Sequence, residues 1–407
     1  MDSGAPTLSG APETTRSIWP TVVGFAATRM MGNLFVRFPY VFINQISRGL
    51  GVDVATLNYV FAARELGGLA APQAGRWVDR GHMSRVIAFG GVVAGASCLA
   101  AATSWFPLFV VMMVIGGAAK ISVDLAQNAW IGHNVPLDER GRVIGIIEMT
   151  WAGAFLIGIP AIGLAVEQWG WKAAFVTTGP LLGLAAVASG ARLREPDWVD
   201  IDEEEALLPA AVTVSNPTRL KRAVWIFCFL QPFAQMVVFA VNGDWFVTGL
   251  NLSTGRLGAV TALLGVAELI GTIITVWVTD RFGSVRCGMW GMAIAVPPLL
   301  GIMVVGTNVV GAVGLMLVMD VAIELAFVAV LPLVSELDVN NRGKAVSHVF
   351  VLIMVARAIG SAVSGRIYET GGFNASIAVA ATACAGATIA LWWSHAEVIP
   401  EPVEVSV

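Results

Sequence analysis

Lys120-Ile-Ser-Val-Asp124-Leu-Ala126, followed by Leu137-Asp138-Glu139-Arg140-Gly141-Arg142, decides the fold because it occurs twice. The second copy reads Asp320-Val-Ala-Ile-Glu324-Leu-Ala326, followed by Leu337-Asp338-Val-Asn-Asn-Arg342-Gly343-Lys344. In each copy a charged residue precedes a carboxylate by four positions. An Asp and then an Arg-Gly-basic triplet follow and open the next apolar run. Matching positions lie about 200 apart in a chain of 407 residues, so the chain reads as two homologous halves. The repeat is set in hydrophobic sequence, which puts both halves in a membrane.

Composition agrees. The chain is 57% hydrophobic and 13% charged, with a mean hydropathy of +0.76, against about 25% charged residues in a soluble domain. A net charge of −4 gives no basic face for a nucleic acid. Cys98, Cys228, Cys287 and Cys384 lie in or beside apolar runs without metal or disulfide spacing, and read as buried thiols. No cleavable signal peptide is expected.

A span needs about 20 apolar residues, and twelve candidates occur: 18–46, 54–73, 84–103, 105–131, 142–166, 171–192, 222–249, 257–278, 285–305, 308–335, 344–369 and 373–393. The expected fold is all-α: twelve transmembrane helices in two pseudo-symmetric six-helix bundles, 17–192 and 221–394. A tail (1–16), an acidic linker (193–220) and a second tail (395–407) complete the chain. Small residues four apart, Gly91 with Gly95 and Gly360 with Ser364, suit close helix contact. With both termini in the cytoplasm, inside segments hold fifteen Lys/Arg and outside segments four (Arg48, Lys172, Arg256, Arg366). That bias places the chain in the cytoplasmic membrane with both ends inside. Trp105, Trp169, Trp171, Trp392 and Trp393 fall at span ends, where indole rings favour the headgroup region.

Five cations (Arg29, Arg37, Arg64, Lys120, Arg357) and six carboxylates (Glu65, Asp124, Glu148, Glu268, Asp320, Glu324) lie within spans, with Asp244 nearer an end. Each costs about 2.5–3.5 kcal/mol at the bilayer centre even on the lenient insertion scale. They must pair or line a water-filled cavity. At about 1.5 Å per residue, Arg29, Lys120, Asp320 and Arg357 sit roughly 15–23 Å from the cytoplasmic ends, and Asp124 and Glu148 roughly 10 Å. Asp320 and Glu324 share a helix face, as do Lys120 and Asp124. Two carboxylates one turn apart repel when both are ionised, and a proton relieves that repulsion. Asp320, Glu324, Asp124 and Glu148 are therefore the candidate proton carriers. Arg29, Lys120, Arg357 and Arg37 are the candidate substrate contacts. Adjacent Arg64 and Glu65 are expected to find partners elsewhere.

These residues resemble the major facilitator superfamily over residues 17–395. Gly75-Arg-Trp-Val-Asp79-Arg80 is similar to its signature loop between helices two and three, although Gly81 comes one place early and His82 takes its position. Asp280-Arg281-Phe282-Gly283 is a weaker second copy. The resemblance implies that Gly75, Asp79, Arg80, Asp280 and Arg281 take part in gating. Gly158-Ile-Pro160-Ala-Ile-Gly163, with Gly170-Trp-Lys-Ala-Ala-Phe175, resembles the antiporter motif of proton-coupled drug and sugar efflux permeases. Physically, Pro160 permits a bend, and Gly158 and Gly163 permit close packing.

The expectation is a secondary transporter of a small organic solute, working by alternating access as a monomer in the lipid bilayer and driven by protons. Uptake or exchange of an organic anion on the midplane cations is the alternative. A non-transporting receptor on the same fold is a third reading. No phosphate-binding Gly-x-x-x-x-Gly-Lys-Ser/Thr or His-Glu-x-x-His occurs, so no catalytic, metal or cofactor site is expected.

Overall fold

The computed structural model describes residues 18–78, 80–193, 217–336 and 342–395, all helices and turns without a strand among them. The tails, most of the acidic linker and Asp79 lie outside the described residues.

Twelve helices follow in order. α1 runs through Trp19–Val41 and Ile43–Leu50, interrupted at Phe42 shortly after Pro39. α2 is Val54–Glu65, a 3₁₀ turn at Leu66–Ala70, and Ala71–Val78. α3 is Met83–Ala100 and α4 Phe106–Asn134. α5 is Leu137–Gly153, a π-helical turn at Ala154–Gly158, and Ile159–Trp169. α6 is Lys172–Gly190, α7 Pro217–Thr248, α8 Thr254–Phe282, α9 Ser284–Val305 and α10 Val309–Glu336. Arg342–His395 holds α11 and α12, divided at Gly372 with φ 68°.

Among the described residues nine continuous helices are long and apolar enough to cross a bilayer, the last of them containing both α11 and α12. The remaining spans, α1 and α2, carry Arg29, Arg37, Arg64 and Glu65 and pack at the molecular centre. The lipid side is apolar by contrast: Trp277, Val304 and Val310 are 78–88% exposed.

The repeat reaches into local geometry. Asp53 Oδ1 accepts the Thr56 N–H and caps α2, and Ser253 Oγ accepts the Arg256 N–H and caps α8. The tight turns after α2 and α8 each place a glycine in the left-handed region, Gly81 (φ 81°) and Gly283 (φ 83°). That requirement accounts for the early glycine of the first loop.

Within each half, small residues let backbones meet. A Cβ on Gly91 would lie 1.9 Å from that of Ala186, and one on Gly95 2.5 Å from the Gly179 carbonyl oxygen. Several seams join the halves, two of them along α2–α11 and α5–α8. At α2–α11, Asn58 Nδ2 donates to Ser364 Oγ (3.3 Å), Ser361 Oγ donates to the Asn58 carbonyl (3.1 Å), and Gly365 abuts Ala55. At α5–α8 the contact is bare backbone, with a Cβ on Gly258 reaching 3.2 Å from Pro160 Cα and 3.8 Å from Gly163 Cα. Gly163 and Pro160 of the antiporter-like motif therefore lie on this seam, while Gly158 packs on Leu34 of α1. The π turn before Pro160 supplies the irregularity expected of that proline.

All these contacts cluster towards one end, that of Gly51, Gly170, Gly249 and Gly372. Asn44 Nδ2 donates to Asp244 Oδ1 (2.5 Å), Gln45 Nε2 to Thr254 Oγ1 (3.3 Å), and the Ala55 N–H to Glu369 Oε1 (3.2 Å). None of the named cross-half contacts lies at the opposite end, where Arg80 and Arg281 stand exposed. These contacts close the two halves against each other at the Gly51 end.

Candidate functional site

Most of the charges within the spans are buried or half-buried, Glu148 being exposed, and they gather in three clusters.

The first lies within the N-terminal half. Arg29 on α1 contacts Asp124 on α4 (3.3 Å) and Glu148 on α5 (3.6 Å), and Lys120 Nζ contacts Asp124 Oδ2 (2.5 Å). Lys120 also lies 5.0 Å from the Trp151 ring centroid. Two cations and two carboxylates balance.

The second spans the α2–α11 seam. Glu65 receives Arg357 Nε on Oε2 (3.1 Å) and Arg64 Nη2 (3.2 Å) and the Tyr40 hydroxyl (3.5 Å) on Oε1. Arg64 and Glu65 therefore do pair, against the expectation from their adjacency, because the arginine side chain is long enough to turn back over its neighbour. Arg64 is only 1% exposed and lies 5.1 and 5.3 Å from the Tyr40 and Phe61 ring centroids. Two cations on one carboxylate leave this cluster with a positive excess.

The third spans α1, α8 and α10. Arg37 donates twice to Glu268 (2.9 and 3.5 Å), an ion pair between the halves. Its guanidinium packs 4.0 Å from the Phe155 and 4.7 Å from the Trp151 ring centroids. Arg29 and Arg37 lie eight residues apart on α1. Eight residues turn the helix axis through about 80° beyond two full turns, enough to send Arg29 into its own half and Arg37 across the seam. Beside Glu268 stand Asp320 and Glu324, both half-buried. Glu324 accepts from Thr272 Oγ1 (3.3 Å). Asp320 has no hydrogen bond or ion pair with a described residue, and its charged neighbours are Glu268, Arg37 and Glu324. One cation among three carboxylates leaves this cluster acidic.

The asymmetry comes from the repeat itself. Lys120 and Asp320 are equivalent, and so are Asp124 and Glu324. The C-terminal half thus has a carboxylate where the N-terminal half has its lysine, and Phe229 where the latter has Arg29.

The four candidate substrate cations, Arg29, Arg37, Lys120 and Arg357, are all buried or half-buried and all bonded to carboxylates. Of the candidate proton carriers, Asp124 and Glu148 are held by cations, while Asp320 and Glu324 are not. Gly75 packs near Leu125, Arg80 and Asp280 are exposed, and Arg281 lies over the Phe282 ring (5.4 Å). Sequence reasoning assigned no role to Glu65 or Glu268, whose partners come from the other half, and it missed Asn44. The charge survey flags the first two, but pairing across halves is set by tertiary packing.

Residues 22–340 match the Major Facilitator Superfamily. The chain is 23% identical over 259 residues to Multidrug resistance protein 2 of Bacillus subtilis (strain 168), covering 61% of this chain and 64% of that relative, a little under two thirds of its length. It is 22% identical over 272 residues to the uncharacterized MFS-type transporter YceJ of the same organism, covering 65% and 68% of the two chains. Its fold is similar to that of a D-xylose-proton symporter (TM-score 0.75, 16% identity, 95% of this chain and 99% of the other). It is also similar to a bacterial homologue of the human lysosomal transporter Spinster (TM-score 0.72, 14% identity, 94% and 98%). The family match spans most of both halves and agrees with the twelve-helix architecture. This chain belongs to the Major Facilitator Superfamily and is a multi-pass membrane protein.

Proposed function

We propose that the protein is a proton-coupled antiporter that exports a small organic solute from the cytoplasm, working as a monomer. One observation carries the reading: Asp320 and Glu324 are the chamber carboxylates without a cation partner, while every intramembrane cation has a carboxylate. An uncompensated carboxylate in a low-dielectric site is stabilised by a proton or by a cationic group of the solute. The two compete for one place, which is the coupling an antiporter needs.

The Lys/Arg bias supports both termini in the cytoplasm. On that placement the sealed end faces outward and the chamber opens to the cytoplasm, ready for loading. The antiporter-like motif on the α5–α8 seam and the resemblance to a multidrug resistance protein favour export. Anion uptake on Arg29, Arg37, Lys120 and Arg357 has against it that the first three are held by carboxylates and that Glu268, Asp320 and Glu324 leave an acidic cluster among them. Gating by the Gly75–Arg80 and Asp280–Arg281 loops belongs to the same proposal.

Reconstitution tests it. Solute flux in proteoliposomes rises with an imposed pH gradient, acid outside. A flux indifferent to that gradient overturns proton coupling.

A further inference from the structure

The three charged clusters do not carry equal charge. With all groups ionised, Arg29, Lys120, Asp124 and Glu148 cancel. Arg64, Arg357 and Glu65 leave one positive charge on the α2–α11 side. Arg37, Glu268, Asp320 and Glu324 leave two negative charges on the α8–α10 side. The chamber is polarised from one seam to the other.

Groups at both poles have unused bonding capacity. Arg357 engages Glu65 through Nε, and its two terminal nitrogens have no hydrogen-bond partner among the described residues, with the side chain 22% exposed. Asp320 is partnerless in the same sense at the other pole. A short chain of contacts links the poles: the Tyr40 hydroxyl donates to Glu65 (3.5 Å), the Tyr40 ring lies 5.3 Å from that of Phe239, and the Phe239 ring lies 5.6 Å from the Arg37 guanidinium. Trp151, Phe155 and Phe239 surround the Arg37 guanidinium and give the acidic pole an aromatic wall.

We propose that the transported solute is amphoteric. On this reading it carries a carboxylate or similar anionic acceptor that docks on the Arg357 guanidinium, a cationic amine that docks on Asp320 and Glu324, and an apolar or aromatic body between them. A simple organic cation leaves the Arg357 donors unused. A simple anion meets the acidic pole. The inference rests on the antiport reading in one respect, that the amine and the proton share Asp320 and Glu324.

The test uses three probes of one shape with the purified full-length protein: tryptophan (zwitterion), tryptophan methyl ester (cation) and N-acetyltryptophan (anion). Equilibrium binding is expected to favour tryptophan about tenfold or more over either analogue, the scale of one charge-assisted hydrogen bond in a shielded site. Arg357→Gln removes the preference over the ester, and Arg357→Lys restores part of it. Asp320→Asn with Glu324→Gln removes the preference over N-acetyltryptophan. Ester binding equal to tryptophan, a preference unmoved by Arg357→Gln, or no binding of any probe overturns the proposal. Because the probe comparison holds for wild-type protein, it survives a variant that fails to fold. Proton release on binding separates the two readings: a charge preference without release sinks the antiport and spares the amphoteric site.

Discussion

Asn44 and Asp244 occupy equivalent positions of the two halves, 200 residues apart, and they are bonded to one another, Nδ2 to Oδ1 at 2.5 Å. The pseudo-symmetry axis therefore runs through a hydrogen bond. Asp244 is 6% exposed and also accepts from Tyr368 (2.9 Å) and Thr248 (3.2 Å), so its charge is satisfied entirely by neutral donors. Opening the sealed end must break the bond to Asn44.

Asn44→Ala is therefore expected to loosen that end. A buried hydrogen bond to a charged group contributes about 1.5–3 kcal/mol, roughly a tenfold or greater shift between closed and open forms. Spin labels at exposed Gln168 and Thr370, one in each half, report it: the variant should populate a longer distance than wild type. Unchanged distance distributions would show that the bond does not hold the seam.

The α1–α7 approach leaves no room for a side chain. A Cβ on Gly243 would lie 2.3 Å from the Val41 carbonyl oxygen and 2.4 Å from that of Tyr40. Gly243→Val should keep the seam from closing and hold the transporter open at that end. Transport is lost while the protein still folds, because the halves retain their internal packing. Transport at the wild-type rate contradicts this.

Arg37 and Glu268 form an ion pair shielded by aromatic rings, with side chains 13% and 12% exposed. Arg37→Gln leaves Glu268 buried beside Asp320 and Glu324 without its cation, and breaking such a pair costs about 3–5 kcal/mol. Arg37→Gln with Glu268→Gln removes both charges and should recover most of that loss. Thermal unfolding in detergent measures the cycle. Equal losses in the single and double variants would mean that the pair does not carry the effect.

The N-cap of α2 gives a pH-dependent term outside the membrane. The hydrogen bonds from Thr56 hold the Asp53 carboxyl below its ordinary range. A depressed folded-state value means that the ionised cap stabilises above the unfolded-state pKa and loses that contribution as pH falls through the folded one. Asp53→Ala should cost about 1 kcal/mol at neutral pH and progressively less in acid. A cost independent of pH would show that the carboxylate charge plays no part.

The repeat made much of this legible in the sequence. Lys120/Asp124 and Asp320/Glu324 locate two related halves, and the expense of intramembrane charge predicts that these groups face inward. Partners were harder to read. Glu65 joins Arg357, and Glu268 joins Arg37, across a seam whose geometry depends on how whole bundles pack. Helix periodicity places a residue on a face but does not say which helix lies opposite. The breaks at Phe42 and Ala154–Gly158 were legible only in part, since Pro39 and Pro160 mark irregular backbone without fixing its form.

The most direct measurement is solute flux in proteoliposomes under an imposed pH gradient, comparing wild type with Asp320→Asn/Glu324→Gln. The account predicts gradient-driven flux in wild type and its loss in the double variant, with downhill exchange of solute retained. Gradient-driven flux that survives in the double variant would contradict the assignment of proton coupling to this pair.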